Sequence, residues 1–263
     1  MAKNFKHLAV VKGNVDVSNN LAYGADEIIF DWTRIEVPRG AFSIHSWNMI
    51  LQGTDTAAGS TNTGDMNLYI AREVNGVAPP SLGTSNTAAT KITANAVRPH
   101  IIGHIYVDVS ASSDHLTPLK SYNVLSSSGN GALSSNNNNL PSFNGSMVIE
   151  GDPKTTAPAG SQYIYVACFA GSGSQNFGTG VLASGAHTSG LSIDVDGNDA
   201  DDTFAVGDEI VALAADGSSA QVVGTITALT DAAITVDALG GAIADDDEIC
   251  HRHPVVVYLG LHY

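Results

Sequence analysis

The chain has 263 residues, of which 43% are hydrophobic and only 14% charged, and its formal net charge is −15. Soluble proteins average about 25% charged residues. With Gly, Ser, Thr, Asn and Ala between short β-branched runs, this composition excludes a coiled coil, a collagen, a helical bundle and a disulfide-rich miniprotein. The negative charge argues against nucleic acid, since nothing here neutralises a row of phosphates.

In chain order, Met1 to Val11 carries Lys3 and Lys6, and its apolar stretch, Leu8 to Val11, ends at Lys12. A secretory core needs roughly 7–15 apolar residues. The N-terminus therefore reads as that of a cytosol-made protein, and residues 1–25 as an arm. Predicted strands follow at Glu27 to Val37, Phe42 to Gln52, Met66 to Glu73, Ile101 to Ser110, Gly145 to Glu150 and Tyr163 to Ala170. The apolar positions of Ile44 to Leu51 follow a period of two imperfectly, as in a strand buried partly on both faces. Helical periodicity is not sustained; only Ser81 to Ala96 leaves room for a short helix. Ser126 to Asn139 reads as a long loop by its serines and four consecutive asparagines. No run approaches the ~18 residues of a membrane helix.

Charge is distributed unevenly. Between Ser184 and Ile249 there are 14 Asp or Glu and no Lys or Arg; the other 197 residues hold 12 acids and 11 bases. A step this sharp marks a domain boundary. The block also repeats itself. Ile193-Asp194-Val195-Asp196 leads to Asp208-Glu209-Ile210, and Ile234-Thr235-Val236-Asp237 leads to Asp247-Glu248-Ile249, with the β-branched run Gln221 to Thr227 between them. Short strands joined by Gly and Asp turns suggest a small closed barrel or compact sandwich. After the block, His253 to Tyr263 reads as one more apolar strand, with Tyr163 to Ala170 as its plausible sheet neighbour. The fold class expected is therefore all-β: a jelly-roll-like β-sandwich (1–183 plus 250–263) with a small acidic β-barrel-like domain (184–249) inserted before the last strand.

The segments Ile35-Glu36-Val37-Pro38-Arg39-Gly40, Asn75 to Gly83, and Phe177-Gly178-Thr179-Gly180-Val181 resemble structural proteins of marine tailed bacteriophages, the cyanophage kind especially. The run Phe204-Ala205-Val206-Gly207-Asp208-Glu209-Ile210 is similar to the small β-modules of phage head and tail proteins. The resemblance implies a virion component made in the host cytoplasm. Its first form is a head decoration (cement) protein bound to the major capsid protein and to copies of itself, such as a homotrimer. Its second is a tail or tail-fibre component contacting host glycans.

The residues themselves encode no reaction. Asp194, Asp196, Asn198, Asp199, Asp201 and Asp202 form a dense acidic cluster. Such a cluster is either a solvated turn or a set of oxygen ligands for Ca²⁺; an EF-hand is excluded, because Asp199 stands where Gly is needed and Ala205 where Glu is needed. Asp245-Asp246-Asp247-Glu248 reads as a solvated strand entry. Cys250, His251 and His253 could supply zinc ligands but fall short of a tetrahedral set, and His100 and His104 lie on a strand-like run after Pro99. Gly171-Ser172-Gly173-Ser174 is not a nucleophile elbow. Trp32 and Trp47 could line a sugar platform, but a Trp in a strand is more often core. Cys168 and Cys250 read as two buried thiols, with a disulfide as the alternative. We therefore expect no enzyme, no cofactor and no catalytic, cofactor-binding or metal residues.

Overall fold

A computed structural model describes residues 6–15, 23–52, 65–85, 87–88, 91–107, 113–116, 119–125, 147–171, 177, 180–197, 199–216 and 219–263. The strands in chain order begin with β1 (Lys6–Lys12), β2 (Ile28–Pro38), β3 (Ala41–Leu51), β4 (Met66–Arg72) and, after helix α1 (Lys91–Val97), β5 (Ile101–Val107). Then come β6 (Ser113–Leu116), β7 (Leu119–Leu125), β8 (Met147–Glu150) and β9 (Ser161–Ala170). The acidic block contributes β10 (Val181–Leu182), β11 (Ser192–Asp194), the single turn α2 (Ala200–Thr203), β12 (Glu209–Leu213), β13 (Ala220–Thr230), β14 (Ala233–Val236) and β15 (Glu248–His251). The chain closes on β16 (Val255–His262). The protein is all-β, and among the described residues every strand pairing is antiparallel. The predicted loop at Ser126 to Asn139 lies outside the described residues.

Two sheets face each other. The larger runs β1-β16-β3-β7-β6, with β8 on the first half of β3; the smaller runs β2-β9-β4-β5. Because successive side chains point to opposite faces, one set from each strand meets in the middle. Val255, Val257, Leu259 and Leu261 of β16 and Met49 and Leu51 of β3 share a core with Met66, Leu68 and Ile70 of β4 and Ile164, Val166 and Cys168 of β9. Trp47 belongs to that core and is no sugar platform. On the outer face of the smaller sheet Leu82 and, from α1, Val97 cluster with Ile28 and Ala167, and Trp32 and Phe169 pack against them. Burial on both sides explains why β9 reads as a nearly continuous apolar run.

Three features differ from the sequence reading. Residues 6–12, taken as part of an arm, form β1, paired along its whole length with β16 from Lys6↔His262 to Lys12↔Val256. The β6–β7 hairpin had no separate signal. The runs Tyr163 to Ala170 and His253 to Tyr263 are not neighbours: β9 lies between β2 and β4, and β16 between β1 and β3, in the opposite sheet. Both are apolar because both are central strands, and apolarity alone does not say of which sheet.

Residues 181–251 build the third sheet, in the order β10-β15-β12-β13-β14-β11. It closes on itself. Ala183 bridges Val195, Ser184 N donates to Asp194 O at 2.8 Å and Asp196 N to Leu182 O at 2.8 Å. The two sequence repeats pair with each other, β11 with β14 through Ile193↔Ile234, and β12 with β15 through Ala212↔Ile249. The eleven-residue β13 serves both halves, turning from β12 to β14 across a bulge between Ile226 and Ala228. Ile193, Ile210, Val223, Ile226, Ile234, Val236 and Ile249 fill the interior. The opposite faces of β12 and β15 supply Val211, Leu213 and Cys250 to the sandwich core, alongside Tyr23 and Phe177. The barrel therefore shares apolar packing with the sandwich. Both cysteines are buried thiols, and burial pushes each thiol well above its ordinary pKa.

Candidate functional site

The acidic block folds its carboxylates into turns. In the first repeat Asp208 Oδ2 accepts from Ala205 N at 2.9 Å; in the second Asp247 Oδ2 accepts from Ala244 N at 2.8 Å. Each turn carries one left-handed residue, Gly207 (φ 99°) and Asp246 (φ 65°). Asp245 Oδ1 accepts from Gly185 N at 2.7 Å, Glu248 Oε1 from Gly180 N at 2.9 Å, and Asp237 Oδ1 from Thr225 N at 2.8 Å. Backbone donors thus take up Asp208, Asp237, Asp245, Asp247 and Glu248, and not the Asp194 to Asp202 cluster. Asp194 and Asp196 are exposed on either side of buried Val195. Asp201 hydrogen-bonds Asp231, and that contact raises the Asp231 carboxyl above its ordinary pKa. Asn198 lies outside the described residues. Among the described residues no three His, Cys, Asp or Glu side chains are placed to hold a metal ion.

The histidines are dispersed. His251 is buried in the barrel, with Nε2 3.1 Å from Thr203 O, Nδ1 3.7 Å from Asp208 Oδ2 and its ring 4.7 Å from that of Phe204. A carbonyl cannot donate, so Nε2 carries the proton. His253 lies beyond the end of β15 and donates from Nδ1 to Gly13 O at 3.1 Å, with Nε2 3.4 Å from Glu209. Cys250 belongs to the sandwich core instead, so Cys250, His251 and His253 do not converge. His100 donates from Nδ1 to Arg72 O at 3.0 Å, and His104 from Nε2 to Asn67 Oδ1 at 2.8 Å. Trp32 Nε1 donates to Pro80 O at 3.1 Å. Ser172 and Ser174 lie outside the described residues.

His251 gives a pH prediction. Burial lowers its pKa, outweighing the Asp208 carboxylate and the Thr203 carbonyl, which raise it. The folded state then binds fewer protons than the unfolded state, whose histidine titrates near ~6.5. The contribution is present in full above that pH and is lost progressively as pH falls below it. Urea midpoints are expected to drop between pH 7.5 and 5.5 in the wild type, and less steeply in His251→Gln. Equal slopes in the two proteins would contradict the assignment.

Two polar assemblies went unseen in the sequence. At the junction of barrel and sandwich, Glu209 meets Arg252 at 2.9 Å, His253 at 3.4 Å and Lys12 at 3.8 Å. At the opposite end of the sandwich, buried Glu73 accepts from Thr156 N and Oγ1 at 2.9 and 2.6 Å, and Asp152 accepts from Gly76 N at 2.7 Å. Burial raises the Glu73 pKa, but the hydrogen bonds from Thr155 and Thr156 outweigh it and hold the carboxyl below its ordinary range. Nearby, burial and the Glu73 carboxylate push the Tyr165 phenol up to about 12. These groups tie turns together.

The outer faces of the two sheets also present side chains. On the larger sheet the outward positions include Lys6, Leu8, Val10 and Lys12 of β1, Val256, Tyr258, Gly260 and His262 of β16, and Ser43, Ser46, Asn48 and Ile50 of β3, none of them a carboxylate. On β8, Val148 and Glu150 are exposed opposite Ser43 and Ala41. On the smaller sheet Tyr69 stands between His104, with ring centroids 4.7 Å apart, and Phe169, at 5.4 Å. Among the described residues no helix is long and apolar enough to cross a membrane. No protein-family model, curated protein or solved structure matches the chain.

Proposed function

We propose that this chain is a structural protein of a bacteriophage virion, a decoration protein that binds the outer surface of the head through its sandwich. The observation that carries the reading is the division of charge: 14 acids without a base lie in the barrel block, against a sandwich near neutrality whose outward positions on β1, β16 and β3 carry no carboxylate. A body of that polarity binds a shell by its neutral part and keeps its acidic part in solvent, where like charge discourages aggregation.

The strand order supports a jelly roll. Four antiparallel pairs nest inside one another, β1 with β16, β2 with β9, β3 with β8 and β4 with β5, alternating between the two sheets. That is the winding of a long hairpin into two faces. The barrel interrupts it just before the last strand, so we read residues 1–183 plus 250–263 as the sandwich domain and 184–249 as the insertion. The partners are the major capsid protein and copies of itself, the protein being made in the host cytoplasm and ending in the virion. Binding only the expanded shell stabilises that state by mass action. The chain acts as no enzyme and binds neither nucleic acid nor membrane.

The test is co-sedimentation of recombinant protein with expanded shells depleted of it. Binding should saturate in proportion to shell subunits. It should change less than about two-fold when Asp194, Asp196, Asp201 and Asp202 are all replaced by Asn, since exposed charges distant from a contact contribute little. Absence of co-sedimentation contradicts the reading.

The Tyr69, His104 and Phe169 row, with Asn67 beside it, favours a second reading, a tail or tail-fibre component contacting host glycans through aromatic and amide groups. Glycan-array binding lost in Tyr69→Ala would support it; an oligomeric sample without hits would count against it.

A further inference from the structure

We propose that the acidic barrel is a fused homodimer: residues 181–213 and 224–252 are two copies of one unit, and the partner each unit fits is the other copy, across a two-fold axis. The inference stands apart from the virion reading. In an isologous contact, residue i of one copy meets j of the other and j meets i. The bonds between the barrel's halves come in such pairs. Val195 N donates to Ala232 O at 3.0 Å, and its counterpart Val236 N donates to Leu191 O at 2.8 Å. Ala183 N donates to Asp247 O at 2.8 Å, and Ala183 O accepts from Asp246 N at 3.1 Å. In the other direction Ile226 N donates to Asp208 O at 2.9 Å, and Ile226 O accepts from Gly207 N at 2.9 Å. Ile210 lies opposite His251, and Ala212 opposite Ile249.

Two positions oppose their own counterparts and so mark the axis: Ile193 faces Ile234, and Val211 faces Cys250. Each half also repeats the other's internal geometry. Asp196 N donates to Leu182 O at 2.8 Å, and Asp237 N to Thr225 O at 2.9 Å. The left-handed residues Gly207 and Asp246 each stand just before the aspartate whose carboxylate closes the turn. The interior matches as well, Val195 with Val236, Phe204 with Ile243 and Ile210 with Ile249. A period of two in the sequence decides which face of a strand is buried, but it does not make backbone groups exchange bonds in reciprocal pairs.

One end of the axis enters the sandwich, since Val211 and Cys250 both belong to its core. Equivalent glutamates hold the connecting segments at that end. Glu248 accepts from Gly180 N at 2.9 Å where the chain enters the barrel, and Glu209 meets Arg252 at 2.9 Å where it leaves. The surface by which the barrel docks is thus itself two-fold. The copies differ in length where eight residues separate Asp196 from Ala205 but six separate Asp237 from Ala244. The turn α2 occupies the longer connection.

The test combines a crystal structure of the full-length protein with matched pairs of variants. Superposing residues 193–196 and 205–213 on 234–237 and 244–252 should need a rotation of about 180°, as a closed two-fold pair requires, and should bring Asp208 onto Asp247. A rotation far from that value, or a best fit in a shifted register, overturns the proposal. Ile193→Ala and Ile234→Ala remove the same group from the two sides of the axis. In the full-length protein they should lower the urea midpoint by amounts within about two-fold of each other, the spread that context imposes on one substitution. Asp208→Ala and Asp247→Ala, which each remove one of the equivalent turn carboxylates, should match in the same way. A pair in which one variant behaves as wild type while the other loses the barrel also overturns it. None of these outcomes depends on a virion, so the duplication and the head reading fail separately.

Discussion

Gly180→Ala is expected to lower stability by about 3 kcal/mol, the upper range for forcing atoms into a packed site. A Cβ at Gly180 would lie 1.7 Å from the Ile249 carbonyl oxygen and 2.6 Å from its carbon. Neither is the far end of a flexible side chain. Relief requires the backbone to part where Val181 pairs with Ile249 and Leu182 with Glu248, and where Gly180 N donates to Glu248. This is the strand by which the chain enters the barrel, so the strain falls on barrel closure. Gly160→Ala is the control: its φ of 88° is strained for a side chain, but no atom lies within 4 Å, and the cost should be only about 1–2 kcal/mol. Urea unfolding of the three proteins decides it. A Gly180→Ala variant within 1 kcal/mol of wild type, on the scale of ordinary surface changes, would contradict the packing described.

Leu213→Ala should cost about 2–5 kcal/mol and should do so in a signal that comes from elsewhere. Leu213 is a barrel-strand residue, yet it is 1% exposed and packs in the sandwich core with Val211, Cys250, Tyr23 and Phe177. Both tryptophans, Trp32 and Trp47, lie in the sandwich, so tryptophan fluorescence reports on that part alone. If barrel and sandwich unfold together, Leu213→Ala moves the fluorescence midpoint. A midpoint unchanged by Leu213→Ala, with circular dichroism showing a separate early transition, would mean that the two bodies unfold independently.

The sequence carried the strands better than their partners. Period-two runs such as Met66 to Glu73 correspond to strands within a few residues, because one buried face imposes that period. Segment 6–12 escaped because Lys6 and Lys12 frame only four apolar residues, and its alternation of Leu8 and Val10 outward with Ala9 and Val11 inward is visible only once β16 lies beside it. The assignment of β9 and β16 to different sheets was hidden for a related reason: central strands are apolar whichever sheet they join.

Among the candidate site residues, the repeated Asp-Glu-Ile strings were legible as a repeat, but the work of their carboxylates was not. Asp208 and Asp247 each stand three residues after the alanine whose amide they accept, a spacing that reads equally well as a cation-binding loop. The Glu209 assembly joins Lys12 to Arg252 and His253 across some two hundred positions. No local pattern announces such a contact.

If the proposed virion reading holds, quantitative mass spectrometry of particles purified from the source, scaled to the major shell protein, tests it most directly. The account predicts a copy number comparable to that of the shell subunit, lost in parallel with the protein when shells are stripped. A few tens of copies would place the chain in a tail or fibre instead, and its absence from particles would contradict the virion reading altogether.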